Sequence, residues 1–238
     1  SVALFEALWL GIRALNFSAN EALESEDGKK EEISPLAMIG TMAFALAFSL
    51  VLFLGLPLLL THLLGSQYEA FKGNVLFNLT DGVIRVTLFL GYVSSISLMK
   101  DIRRVFQYHG AEHKVIGAHE AGLPLTVENA RNFPCIHPRC GTSFLMIVMV
   151  LSILMFSMIP AAWPLWAKGA SRIVLMPLIA GLSYEFIKWS ATQRGNRYVE
   201  ALMLPGLLLQ RLTTREPSDD QLEVAIRAMD EALAMEPR

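Results

Sequence analysis

The sequence predicts an all-α polytopic membrane protein: four transmembrane helices, a cytoplasmic metal-binding connection and amphipathic flanking helices. Three observations carry this reading. Hydrophobic residues make up 53% of the 238 residues, and mean hydropathy is +0.44. Charged residues reach only 18%, against about 25% in soluble domains. The apolar residues are gathered in blocks, and a bilayer core requires about 20 such residues in helical form. A net charge of −2 supplies no field to draw in nucleic acid, so no direct nucleic-acid partner is expected. Two cysteines five positions apart cannot build a disulfide framework. The chain starts at Ser1 rather than Met, so an upstream piece is expected.

Residues 1–35 read as an amphipathic helix and a charged linker. Val2, Leu4, Phe5, Leu8, Trp9, Ile12 and Leu15 share one helical face, which suits a membrane surface or a bundle. Glu21 to Glu32, with Gly28, reads as an exposed linker. Residues 36–99 hold the first transmembrane pair. Leu36–Leu64 is free of charge, with Pro57 expected to kink or break it. Asn74–Leu98 carries Asp81 and Arg85. Residues 100–141 form a His/Cys-rich connection. Residues 142–192 hold the second pair: Thr142–Ile159, stopped by Pro160, and Ser171 to about Ala191. Residues 193–238 form an interfacial segment and a C-terminal helix. Tyr198–Thr214 is apolar but interrupted by Pro205-Gly206, so it is expected at the interface. Ser218-Asp-Asp-Gln221 resembles a capping box. Leu222, Ile226, Met229 and Leu233 then recur at helical spacing, a stripe that must pack on this chain or on a partner.

Orientation follows from Lys and Arg. Lys29, Lys30, Lys100, Arg103, Arg104, Lys114, Arg131, Arg139, Arg194, Arg197, Arg211 and Arg215 all fall on the side of both termini and the long connection. Lys72, Lys168 and Arg172 fall in two short loops opposite. The richer side is read as cytoplasmic, with both termini there, and its reducing medium disfavours a disulfide.

The connection concentrates the chemistry. Four of the five histidines and both cysteines lie between His109 and Cys140. His109 and His113, four apart, share a helical face in reach of one ion. Glu112 completes an H-x-x-E-H arrangement, the inverted zincin pattern in which the Glu is a general base. His137 and Cys140 can supply further ligands from a loop held by Pro134 and Pro138. Thiolate with imidazole favours zinc, other divalent metals remaining open. The plainer alternative has the histidines capping a helix end, Glu112 pairing with Lys114 or Arg139, and Cys140 as a buried thiol. The site would lie near the membrane surface, within reach of lipid-soluble or membrane-anchored substrates. Inside the spans, Asp81 and Arg85 are i, i+4, and Glu185 and Lys188 are i, i+3. Such residues default to a functional reading, though each can be neutralised by its helical neighbour. The eleven methionines read as core or lipid-facing filler.

Tyr108–Lys114 (Tyr-His-Gly-Ala-Glu-His-Lys), His137–Phe144 (His-Pro-Arg-Cys-Gly-Thr-Ser-Phe) and Gln210–Pro217 (Gln-Arg-Leu-Thr-Thr-Arg-Glu-Pro) resemble the YqhQ family of bacterial membrane proteins. The likeness runs over nearly the whole chain, including Leu125–Asn129 and Tyr184-Glu185. It implies a bacterial inner-membrane location, a metal-dependent enzyme, and roles for His109, Glu112, His113, His137 and Cys140. Cys135 departs from the pattern, and a Gly- and Met-rich N-terminal stretch is absent. The family's gene neighbourhood implies a translation-linked partner, which the C-terminal helix could bind, beside the lipid bilayer; oligomers are also open. Three readings compete. One is a metal-dependent hydrolase, peptidase-like, with Glu112 as base. The second is a non-enzymatic scaffold with a structural zinc. The third is a transporter using Asp81, Arg85 and Glu185, disfavoured by the lack of an inverted repeat.

Overall fold

The computed structural model describes residues 2–27, 34–138, 140–193 and 196–235. The linker positions Gly28, Lys29, Lys30 and Glu32, and the basic residues Arg139 and Arg194, lie outside the described residues. Among the described residues every regular element is helical. The helices are α1 Val2–Asp27, α2 Pro35–Leu50, α3 Leu56–Gln67, α4 Asn74–Ile96, α5 Lys100–Glu120, α6 Val127–Arg131, α7 Gly141–Ser157, α8 Leu165–Thr192, α9 Arg197–Thr213 and α10 Asp219–Met235.

Among the described residues, three stretches are long and apolar enough to cross a membrane: Leu36–Gln67, Asn74–Ile96 and Leu165–Ser190. Their large apolar side chains face outward, as with Leu46 at 63% and Val174 at 76% exposure. In water such surface would drive association; in lipid it is the expected solvent contact. Where a span was expected at Thr142–Ile159 lies α7, an apolar helix of 17 residues and shorter than those three.

Several local expectations are corrected. The linker expected from Glu21 is helical through Asp27, because Glu, Ala and Leu are good helix formers and no Gly or Pro intervenes. Pro57 does not break the first span. A π-turn at Val51–Gly55 lies just before it and joins α2 to α3 without interruption. The wider turn sits where the proline ring would otherwise crowd the carbonyl four residues back. Pro205-Gly206 does not interrupt the helix either: α9 runs through it. Gly206 instead permits a close crossing, since a Cβ there would lie 2.8 Å from the Ser143 Cβ. Finally, α8 starts six residues before the expected Ser171, so Lys168 and Arg172 are buried helical residues and not loop residues.

The chain divides into two compact units, one of Ser1–Arg85 with Ile153–Tyr184, the other of Val86–Ser152 with Glu185–Arg238. In the first, α4 meets the Ile153–Ser157 end of α7 closely: a Cβ on Gly82 would fall 2.5 Å from Ile153. The second unit is organised around α5. Ala111, Val115 and Ala118 are fully or almost fully buried, with Leu222 of α10 and Ala130 of α6 against them. Ile226 and Met229 extend that contact. The apolar stripe of the terminal helix is therefore spent on this chain. Its start is fixed by Gln221, whose side-chain oxygen accepts from the Ser218 N–H at 3.0 Å, one half of the expected capping box. Met146, Met149 and Met203 fill the remaining core.

Leu222→Ala should destabilise the second unit by about 2–5 kcal/mol, because the residue is buried where collapse is constrained. Val224→Ala on the exposed face of α10 should change stability by no more than about 0.5 kcal/mol. Thermal unfolding and amide exchange in α10 check both; equal effects would mean that α10 is not docked.

Candidate metal centre

The site is built on one face of α5. His109, His113, Ile116 and Glu120 follow one another at helical spacing and line a hollow of about 460 Å³ with Glu112, His137, Cys140 and Thr142. The other face of α5 carries the core just described, so helix rotation is fixed by packing. One nitrogen or sulfur atom from each of His109, His113 and Cys140 lies within 4.8 Å of the others. His109 Nε2 is 3.1 Å from Cys140 Sγ.

What aims the imidazoles lies outside the sequence cluster. His109 Nδ1 donates to the Thr213 carbonyl at 2.8 Å, and His113 Nδ1 donates to the Cys135 carbonyl at 2.6 Å. Both Nδ1 atoms are thus spent on backbone oxygens, and each Nε2 is left to face the cluster. Metal-binding histidines are held by the same kind of second contact. The Thr213 carbonyl is positioned by the segment after α9. Arg215 N–H donates to Phe106 O at 2.9 Å. The segment crosses α5 at Gly110, where a Cβ would sit 2.1 Å from the Arg215 carbonyl oxygen. Only glycine admits that approach.

The loop that brings Cys140 is held by Gln210, fully buried on α9. Its amide accepts from His137 N–H at 2.8 Å, and donates to His137 O at 2.8 Å and to Ser143 Oγ at 2.9 Å. Thr142 N–H and hydroxyl lie 3.4 and 3.1 Å from the Cys140 sulfur. On the far side of α5, the buried Lys114 ammonium donates to Arg131 O and Phe133 O and pairs with Glu216 at 2.8 Å. Cys135 donates its thiol to the same carboxylate at 3.2 Å.

The two cysteines are electrostatically opposite. Burial alone would push the Cys140 thiol up; hydrogen bonds from His109, His113 and Thr142 outweigh it and lower it to about 5. Burial of His109 favours the neutral ring, but Cys140 and the Thr213 carbonyl win, and its pKa is raised. Burial, followed by the contact with Glu216, pushes Cys135 up to about 11. The contact between His109 and Cys140 thus favours the charged form of each group.

Against the expected site, His109, His113 and Cys140 come together. Glu112 lines the same hollow and is exposed. His137 lines it too, outside the three-residue cluster, with its ring centre 5.8 Å from that of His113. Gln210 clamps its backbone, and its Nε2 faces Glu120 at 3.5 Å. Of the charges expected in the spans, Asp81 and Arg85 pair at 2.7 Å. Glu185 and Lys188 are exposed, and no ion pair joins them among the described residues. Glu120, Gln210, Thr213 and Glu216 were not assigned as site residues. The last three lie within the Gln210–Pro217 motif, whose length was the available signal.

Helices throughout the described residues, three of the stretches membrane-length and apolar, and a largely buried His/Cys cluster are the class of protein that fold and site define. The chain belongs to the family described as "Protein of unknown function (DUF1385)", whose model matches residues 1–235. It is 37% identical over 246 aligned residues to "Uncharacterized protein YqhQ" of Bacillus subtilis (strain 168), covering 98% of this chain and 76% of that protein. The resemblance read from the three motifs is thereby borne out. No solved structure matches.

Iodoacetamide should alkylate Cys140 of chelator-treated protein with a midpoint near pH 5, thiolate being present above it and lost below. Cys135 should resist until strongly alkaline pH. Peptide mapping against pH checks this; parallel titration of the two cysteines would refute the assigned environment. His109→Ala should move the Cys140 midpoint upward.

Proposed function

We propose that this chain is a multi-pass protein of the bacterial cytoplasmic membrane and a metal-dependent hydrolase working at its cytoplasmic surface. His109, His113 and Cys140 would hold one zinc ion, or another divalent metal. The single observation behind this is the convergence of two carbonyl-anchored imidazoles and a thiol of lowered pKa on one point. Three lone pairs meeting there repel unless a cation or proton sits between them. Zinc so bound by three protein ligands lowers the pKa of a coordinated water to about 7.

The protein's own part is to place carboxylates beside that point. Glu112, exposed on the rim of the hollow, is free to take a proton from water and pass it to a leaving group. Glu120 and His137 form a second polar pair on the wall. His113, Glu120 and His137 also line an adjoining hollow of about 460 Å³, whose other walls include Phe133, Ile187, Met203 and Leu207. Ile187 belongs to the last turns of the third membrane-length stretch. A substrate with an apolar portion, lipid-soluble or membrane-anchored, suits that combination.

For topology we propose four spans, α7 serving as the short one. Its 17 residues reach about 26 Å, a shortfall that a bilayer accommodates at modest cost. Both termini and the metal site lie on the cytoplasmic side by the Lys/Arg bias. The alternative of a scaffold with a structural zinc requires a fourth protein ligand, and His137 is the candidate. The lipid bilayer is the proposed partner; α10 has little of its apolar stripe left for another protein.

A membrane-impermeant maleimide should label a cysteine placed at Ala162 in intact cells, and one placed at Glu231 only after permeabilisation. The reverse pattern would invert the topology. Purified wild type should carry about one zinc, and His113→Ala should lose it. Glu112→Gln should keep the metal and lose cellular complementation, a general base contributing about 10²–10⁴-fold. Metal and function both retained in Glu112→Gln would remove the hydrolase reading. Loss of metal in His137→Ala would favour the scaffold.

A further inference from the structure

The first unit contains a charge imbalance. Asp81, Arg85, Lys168 and Arg172 are all buried, at 1%, 6%, 3% and 1% exposure. Asp81 meets Arg85 with one oxygen and Arg172 with the other, each at 2.7 Å. The same two guanidinium groups lie 4.8 and 5.0 Å from the centre of the Phe156 ring. Both oxygens of Asp81 are then engaged, and Lys168 is left over. Its ammonium stands 4.0 Å from the centre of the Phe77 ring. Among the described residues no hydrogen-bond acceptor or ion-pair partner reaches it, and Asp81, which attracts it from farther off, is shared with the two guanidinium groups. Aromatic faces attract a cation but cannot balance its charge. An ammonium taken out of water without a counter-ion is costly, so something anionic is called for.

The ammonium lines a hollow of about 430 Å³ together with His62, Ser66, Phe71, Phe77 and Ala162. Its position in the helix specifies the depth. Lys168 is in the first turn of α8, about 4.5 Å along the axis from Leu165, at the very start of a membrane-length stretch. That is the level of lipid headgroups. The first turn of a 28-residue helix also sets the positive end of its dipole at this level. The aromatic and alanine walls suit the glycerol and upper acyl carbons of a lipid better than a fully hydrated ion.

We propose that this hollow binds the phosphate group of a glycerophospholipid from the leaflet at which α8 begins, with Lys168 as its counter-ion and Arg172 adding positive potential one turn deeper. The proposal rests on α8 lying in a membrane and is independent of the metal site. The test uses the full chain in detergent, titrated with phosphatidylglycerol and followed by native mass spectrometry. Wild type should retain one phosphatidylglycerol and bind diacylglycerol of the same chains at least about tenfold more weakly. Lys168→Met should weaken phosphatidylglycerol by about tenfold or more, the worth of one charge-assisted hydrogen bond. Ala162→Phe, at an exposed wall position, should do so by filling the hollow with the charge intact, and it decides the matter where Lys168→Met fails to fold. Equal retention of phosphatidylglycerol and diacylglycerol, or wild-type binding by both variants, overturns the site. Displacement of the lipid by equimolar inorganic phosphate overturns the lipid assignment in favour of a free-anion site.

Discussion

Two hydrogen bonds from imidazole to backbone hold the candidate centre in being. A histidine ring has two nitrogens, and the partner of one decides what the other can do. Thr213 O and Cys135 O take the Nδ1 protons of His109 and His113, and so each Nε2 faces Cys140. Neither carbonyl belongs to α5. One is delivered by the end of α9 and one by the loop after α6, so the centre exists only while those segments are held against the helix. Gly110 allows the first to approach, and the Lys114–Glu216 pair with the Cys135 thiol ties the second to it.

This dependence explains why α5 is so constrained. One face is packed on α10 and α6 through alanines and a valine, small enough to bring those helices near. The other face is the wall of the hollow. Rotation by one residue would swing the ligands by about 100° and expose the alanine face together, so packing of the terminal helix and ligand placement are one condition.

Buried charge is handled in two different ways. Lys114 is surrounded by two carbonyls and a carboxylate, the arrangement expected of a structural lysine. Lys168, equally buried, has an aromatic ring and a hollow in front of it. The contrast within one chain separates a lysine that closes a structure from one that faces a hollow.

The sequence by itself determined the helical class, the apolar blocks and the segment in which His109, His113 and Cys140 lie. Hydropathy and the i, i+4 spacing of His109 and His113 are local properties, and local physics reproduces them in the fold. Pro205-Gly206 and the start of α8 fall elsewhere than the sequence predicts, and the helix passes Pro57 without a break, for the converse reason. A proline or glycine reads as a break until a π-turn or a close helix crossing absorbs it. Only the tertiary structure decided that His137 turns to Glu120 while Cys140 joins the two histidines. It also decided that Arg172 joins Asp81 and Arg85, a pairing 91 residues apart in the chain. Those outcomes depend on which distant carbonyl or carboxylate reaches each group first, and no spacing along one segment encodes that.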